Sequence, residues 1–295
     1  SSPIWGAMEA RNMQLKINTK TLAAGVAMAA LSFASAASAG TVVIKDIQGV
    51  WSSQSPTGTV STSGATSTVS WGTPTEGTMK SSYSFTSASA PFTTTLSDGQ
   101  SAGPFTLGTF QHNNWPVTGT TLQTVRLTVS GVVEIDGHDI NFSGFVYDFT
   151  HVETPNEGSG WWGACALGGY NGDSNNKYGC SDQVKVNTNT FNNSFTFGAD
   201  TYTIDIAGFL VGGNLTSSFI TKESEAVTYK CGKKNKQTCY DYTSHAFANT
   251  ADIQASISMV TSAVPEPSTW AMMIVGFGAA GAMVRSSRRR GALAA

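Results

Sequence analysis

Charge is scarce in this chain. Asp, Glu, Lys and Arg supply 12% of its 295 residues, and the basic ones do not outnumber the acids. No uncharged apolar run reaches the roughly 20 residues that a comfortable membrane-spanning helix needs. The run near the C-terminal end, residues 270–284, has 15 residues without a charge, about 23 Å of helix at 1.5 Å per residue. Between the two ends no amphipathic helical pattern of useful length occurs, so strands must build any core. There is no C-x-x-C spacing to favour a cysteine zinc site. Also absent are a G-x-S-x-G elbow for a serine hydrolase and a Gly-rich phosphate loop opening a helix. The lack of a fixed-period repeat argues against a solenoid or propeller.

What is present at the ends reads as processing signals. Lys16 and Lys20 precede the apolar residues 21–33, and Ala37-Ser38-Ala39 closes the segment. A basic start, a short apolar stretch and an A-x-A site describe a secretory signal peptide, with signal peptidase cutting after Ala39. Residues 13–39 therefore form a signal helix opened by Met13, and residues 1–12 read as upstream sequence or a mis-called start. At the other end, Pro265-Glu266-Pro267 leads through Trp270 into the apolar run, and Arg285 and Arg288-Arg289-Arg290 follow. The prolines disfavour helix before Ser268, which can cap one. An aromatic at one end and arginines at the other suit interfacial anchoring with a cytoplasmic basic end. A buried core helix is the competing reading of residues 270–284.

The segment between, residues 40–262, suits one β-domain. Seven of the 17 basic residues lie in the terminal segments, leaving ten against 17 acids and a net charge near −7. Such a surface disfavours phosphate backbones, so nucleic acid is not an expected partner. Lys230, Lys233, Lys234 and Lys236 read as a solvated loop. Four cysteines fit an oxidising compartment. Three connectivities are open, and local pairing of Cys165 with Cys180 and Cys231 with Cys239 is favoured because each pair encloses a polar, turn-rich loop.

Strands are expected at residues 41–47, 66–71, 81–85, 105–111, 122–135, 139–149, 182–186, 194–197, 201–209, 217–221 and 253–260, from short alternating apolar runs. Asp136-Gly137 suits a tight type I′ hairpin turn, and Gly198-Ala199-Asp200 a three-residue hairpin loop. The expected fold is all-β: an antiparallel β-sandwich of jelly-roll type, flanked by the signal helix and a C-terminal hydrophobic sorting helix. Long loops are expected at residues 158–177 and 223–242.

His112 and His151 each end an expected strand and enter a polar turn. With Glu153, and with Asn113 and Asn156 nearby, they could meet at one end of the sandwich, as a transition-metal site requires. The alternative is that they bond the backbone of adjoining loops. His138 and His245 read as exposed. Asp136, Asp139, Asp148, Asp173 and Asp182 raise calcium as a weak cofactor candidate; otherwise no cofactor is expected. Residues 171–176 resemble a fragment of a calcium loop but lack the twelfth-position Glu, so a disulfide-stapled turn is preferred. Glycoside hydrolysis needs two facing carboxylates, and spacing alone does not bring Glu134, Asp136 and Glu153 together. Trp51, Trp71 and Trp115 are expected in the core. Trp161 and Trp162, in a Gly-rich loop, are candidates for stacking on sugar faces.

Two family resemblances rest on particular residues. Pro265-Glu266-Pro267-x-x-Trp270-Ala271, the Gly-rich apolar segment and Arg288-Arg289-Arg290 together resemble the PEP-CTERM sorting signal in its PEPxxWA form. That implies a Gram-negative exported protein recognised by exosortase, a membrane enzyme that cuts near the motif, and an association with exopolysaccharide. The sorting signal would span residues 263–291. The body resembles the choice-of-anchor K domain through Gln48-Gly49-Val50-Trp51, Trp71-Gly72-Thr73-Pro74, the phrase from Leu107 to Pro116, His151-Val152-Glu153-Thr154-Pro155-Asn156, Tyr202-Thr203-Ile204-Asp205 and Ser217-Ser218-Phe219-Ile220-Thr221. Members often carry cysteines just after the H-x-E-T-P-N phrase, as Cys165 and Cys180 stand here. The insertion at 158–163 departs from the simpler pattern. The resemblances imply an architecture and an address rather than a chemistry.

The expectation is thus an exported protein, transiently anchored at the inner membrane and then on the cell surface or in the extracellular matrix. Its role would be structural or adhesive and not enzymatic. A carbohydrate-active enzyme and a calcium-dependent assembly module are the alternatives.

Overall fold

The computed structural model describes residues 39–187, 193–262 and 267–291, with side chains of the C-terminal helix described at 270–285. Residues 13–38 of the predicted signal helix, with Ala37, lie outside the described residues, as do Pro265 and Glu266. Strands β1 (Gly40–Ser55), β2 (Thr59–Ser63), β3 (Thr66–Trp71), β4 (Thr73–Pro74), β5 (Ser81–Ser87) and β6 (Phe92–Leu96) come first. Then follow β7 (Ser101–Asn113), β8 (Val117–Thr118), β9 (Thr124–Ile135), β10 (His138–Val152), β11 (Asp182–Val186) and β12 (Ser194–Phe197). The last are β13 (Asp200–Val211), β14 (Asn214–Thr216), β15 (Ser218–Thr221), β16 (Val227–Cys231), β17 (Gln237–Asp241) and β18 (Asn249–Thr261).

Among the described residues all the pairings are antiparallel, and the structure is all-β apart from one short 3₁₀ turn and the C-terminal helix. A six-stranded sheet has the order β15-β11-β10-β9-β1-β6. An eight-stranded sheet has the order β12-β13-β18-β7-β5-β3-β2, with β14 beside β13. The inner faces of both sheets feed one core. Trp51 and Phe149 from the first meet Tyr83, Phe110 and Phe209 from the second at ring separations of 6.0–6.3 Å. Two serines tie the layers further. Ser87 and Ser67 on the second sheet accept the backbone N–H groups of Gly49 and Trp51 at 3.0 and 3.1 Å.

Strict alternation does not run through the long strands. In β1, Ile44 and Ile47 are both buried although three apart, because a bulge between Lys45 and Gln48 inserts Asp46 at φ 53°. Without that extra residue, Ile47, Gly49 and Trp51 would turn to solvent. A second bulge between Phe142 and Phe145 lets β10 bury both rings. The Asp136-Gly137 turn forms as expected: Ile135 pairs with His138, and both turn residues have positive φ.

Several expectations need correction. Asp200 pairs with Phe197, so the second hairpin loop has two residues, Gly198 and Ala199, rather than three. Residues 223–242 are not one long loop but hold the β16–β17 hairpin. Strands β2 and β6 were not anticipated. The disulfides pair locally, Cys165 with Cys180 and Cys231 with Cys239. Helix α1 (Pro267–Gly291) starts at Pro267, one residue before the expected cap, a position where the missing N–H of proline has no cost. Every described side chain of α1, residues 270–285, is exposed. No helix among the described residues is long and apolar enough to cross a membrane.

Candidate functional site

Antiparallel pairing carries a set of polar residues to one rim of the core. His112 lies near the end of β7, opposite Tyr83 of β5. His151 lies near the end of β10, opposite Val184, and Asp182 opens β11, opposite Thr221 at the end of β15. Trp71 ends β3 and closes the group, its indole stacked on His112 at 5.6 Å and edge-on to His151 at 5.2 Å. One ligand-type atom from each of His112, His151 and Asp182 lies within 4.8 Å of the others, and all three residues are buried. His112 and Asp182 have no exposed surface at all.

His112 Nδ1 is 2.8 Å from the Thr221 hydroxyl, and His151 Nδ1 is 2.5 Å from the Tyr83 hydroxyl. Thr221 Oγ1 donates to the Asp182 carbonyl oxygen at 3.4 Å, so it accepts from His112 Nδ1–H. That assignment leaves His112 Nε2 as a bare lone pair. His151 Nε2 is 3.0 Å from Glu153 Oε2 and 4.0 Å from Asp182 Oδ2. Asp182 Oδ1 accepts from the Thr154 backbone N–H at 2.7 Å. Buried atoms without a hydrogen-bond partner include His112 Nε2, Asp182 Oδ2, Asn114 Oδ1, Asn156 Oδ1 and Glu223 Oε2. An orphaned buried polar atom costs about 1–3 kcal/mol, and here several share one rim.

Burial sets the electrostatics. It holds His112 well below the ordinary imidazole range, with His151 adding repulsion. It pushes Asp182 well above the carboxylate range, reinforced by Glu153, and does the same to Glu223, reinforced by Asp182 and Glu153. Tyr83 is likewise raised by burial and by the same two neighbours, so it stays a neutral phenol.

The structure thus brings His112, His151 and Glu153 together. Asn114, not Asn113, turns inward, and Asn156 joins through a 3.2 Å bond from its Nδ2 to Glu223 Oε1. Asp182, Thr221, Tyr83 and Glu223 were not anticipated as partners, although Asp182 opens an expected strand and stands two residues after Cys180. The other aspartates go elsewhere: Asp136 accepts from Thr41 N–H, Asp139 pairs with Lys45, and Asp148 holds Arg126 with both oxygens. Asp173 Oδ2 accepts from Tyr170 N–H within its own turn. The five therefore do not converge as a calcium site. Glu134 stands opposite Asp139 in the strand register at the start of β10, whereas Glu153 follows its end, so Glu134 and Glu153 do not face each other. His138 is exposed, and His245 stacks on Tyr178 and pairs with Glu225.

A second feature stands at the surface. Ser159 and Ala164 exchange backbone hydrogen bonds of 2.8 and 2.9 Å, and Gly163 N–H donates to Gly160 O at 3.3 Å. Trp161 and Trp162 therefore occupy the two central positions of a turn, 94% and 78% exposed. Tyr170, also exposed, lines an open depression with Trp162. The Cys165–Cys180 bond and buried Asn176, which donates to Gly168 O and accepts from Ser181 N–H, hold the loop beneath. Trp51, Trp71 and Trp115 are buried.

Residues 263–290 match the PEP-CTERM protein-sorting motif. The motif marks an exported protein targeted to exosortase as its processing partner. No curated protein matches the chain by sequence.

Proposed function

We propose that the chain is a non-catalytic component of the cell surface or extracellular polysaccharide matrix, and that it holds exopolysaccharide on Trp161, Trp162 and Tyr170. The observation that carries this reading is the pair of indoles at the tip of a turn held by hydrogen bonds and a disulfide. Leaving them in water forgoes about 1.5–3 kcal/mol per large apolar side chain, and a patch of this kind marks a binding surface. Flat aromatic faces suit the C–H faces of sugar rings, a contact that needs little charge. In this reading the body is a choice-of-anchor K domain with jelly-roll wiring. The tail holds the chain briefly at the inner membrane until exosortase removes it. The 15 uncharged residues of the run favour a removable handle over a permanent anchor.

Affinity electrophoresis of the purified chain against neutral and acidic bacterial exopolysaccharides tests the reading. Trp161→Ala with Trp162→Ala should weaken binding about tenfold or more, a loss of about 1.4 kcal/mol. Stability should stay within about 0.5 kcal/mol, because both rings are exposed. Unchanged retention would overturn the assignment. Release of reducing ends by the purified chain would replace it with an enzyme, with Glu134 or Glu153 as the carboxylate to examine.

A further inference from the structure

The rim cluster has a chemistry the glycan-binding loop does not use. Two imidazoles and a carboxylate converge, and in both rings Nδ1 is held by a hydroxyl, of Thr221 at 2.8 Å and of Tyr83 at 2.5 Å. Metal-binding histidines show this arrangement, in which an outer partner orients the ring and leaves the other nitrogen for the ion. The remaining donors, His112 Nε2 and Asp182 Oδ2, are fully buried and unpartnered, and His151 Nε2 is 4.0 Å from the latter. We propose that His112 Nε2, His151 Nε2 and Asp182 Oδ2 bind one divalent transition-metal ion of zinc type, with Glu153 at the open side.

Ligand type decides the class of ion. Calcium and magnesium take oxygen donors, whereas two imidazoles and one carboxylate suit zinc, cobalt or another late first-row dication. Size decides feasibility. At about 2.0–2.2 Å from each ligand, an ion needs its donors roughly 3.3–3.6 Å apart. Atoms that lie within 4.8 Å of one another close to that spacing by about an ångström of side-chain movement. The entry side is marked by Glu153, whose side chain is 21% exposed while His151 and Asp182 side chains are at 0%.

The ligands come from both sheets: His112 from β7 of the larger, His151 and Asp182 from β10 and β11 of the smaller. The ion therefore clamps the two layers at this rim. It also fixes the base of the loop that carries Trp161 and Trp162, because Asp182 stands two residues beyond Cys180. The competing filling of the same space is a proton on Asp182 with no ion bound.

Titration of the chelator-treated chain separates the two. With Co2+, one equivalent should bind and give the visible absorption bands of a low-coordinate ion. With Zn2+, the melting temperature should rise and fall back on adding chelator. Asp182→Asn, which keeps the shape, should weaken uptake by more than the roughly 10–100-fold that loss of an outer-shell partner costs, and His112→Gln should abolish the cobalt bands. Should these variants fail to fold, the unaltered chain still decides. No stoichiometric uptake and no response of its melting to zinc or chelator would overturn the proposal in favour of the proton. Uptake that persists in folded His112→Gln and Asp182→Asn chains would overturn it too, by placing the ion elsewhere.

Discussion

Replacing Gly49 by alanine puts the junction of the two sheets under direct test. A Cβ added there would lie 2.3 and 2.5 Å from Cε1 and Cδ1 of Phe85 and 3.3 Å from Leu127 Cδ1. Carbon atoms in contact sit about 3.5–4.0 Å apart, so the ring would have to retreat by more than an ångström. It has no room to do so. On its other side Phe85 lies against Gly108, where an added Cβ would stand 2.5 Å from Cζ and 2.4 Å from the Thr86 carbonyl oxygen. One phenyl ring of the larger sheet is thus held between two glycines, one on each sheet. Overpacking of this kind costs about 1–3 kcal/mol. The lower backbone entropy of the unfolded alanine chain offsets about 0.4–1 kcal/mol of it. A net loss of about 1–2 kcal/mol lowers the melting temperature by about 2–8 °C for a domain of this size.

Urea unfolding of the Gly49→Ala chain, followed by near-ultraviolet circular dichroism, should show an earlier midpoint at constant slope. Adding Phe85→Leu vacates the ring's outer edge and makes room for the new methyl group. The double variant should then be more stable than the sum of the singles by about 0.5 kcal/mol or more. A Gly49→Ala chain within about 0.5 kcal/mol of the parent, or strict additivity with Phe85→Leu, would refute this account of the packing.

Two further perturbations address the staples and the buried acids. The Cys165–Cys180 and Cys231–Cys239 bonds close loops of 15 and 8 residues, worth about 3 and about 2.5 kcal/mol respectively by unfolded-chain entropy. Cys165→Ala with Cys180→Ala should therefore lower the melting temperature more than Cys231→Ala with Cys239→Ala, and the reverse order would contradict the loop-length argument. Burial first, then Asp182 and Glu153, raise the Glu223 carboxyl well above its ordinary range. The folded chain thus keeps a proton that the unfolded chain releases above about pH 4.3. Its contribution is fully present below that pH and is lost as pH rises toward the folded value. In chelator-treated protein, Glu223→Gln should flatten the fall in melting temperature as pH rises above about 4, and parallel profiles would count against a buried proton there.

Period-two patterning made β3, β11 and β12 legible to their end residues, because each is short and bounded by turn residues. It misplaced the first strand, which continues through a bulge at Asp46 that no alternation rule anticipates. Strand β2, Thr-Val-Ser-Thr-Ser, is an edge strand with mostly exposed residues, so it carries no apolar period to read. The convergence of His112 and His151 could be approached from sequence because both close strands with regular patterns. Asp182 could not be joined to them, and it read as one of five scattered aspartates. Its place depends on β11 pairing with β10 and β15 across long sequence separations. Trp161 and Trp162 were readable as a loop pair, but their position at the centre of a turn required the Ser159–Ala164 bridge.

The helix of residues 267–291 leaves Ile274, Val275 and Phe277 between 64% and 75% exposed. It therefore adds apolar surface to the chain without enlarging its core. Hydrolysis near the Pro-Glu-Pro motif would remove that surface in one step and leave the acidic body behind. A bond once cut is not remade, so the processing event would be a one-way loss of exposed apolar surface. It would require no rearrangement of the folded sheets and could act equally well on cargo that is already fully folded.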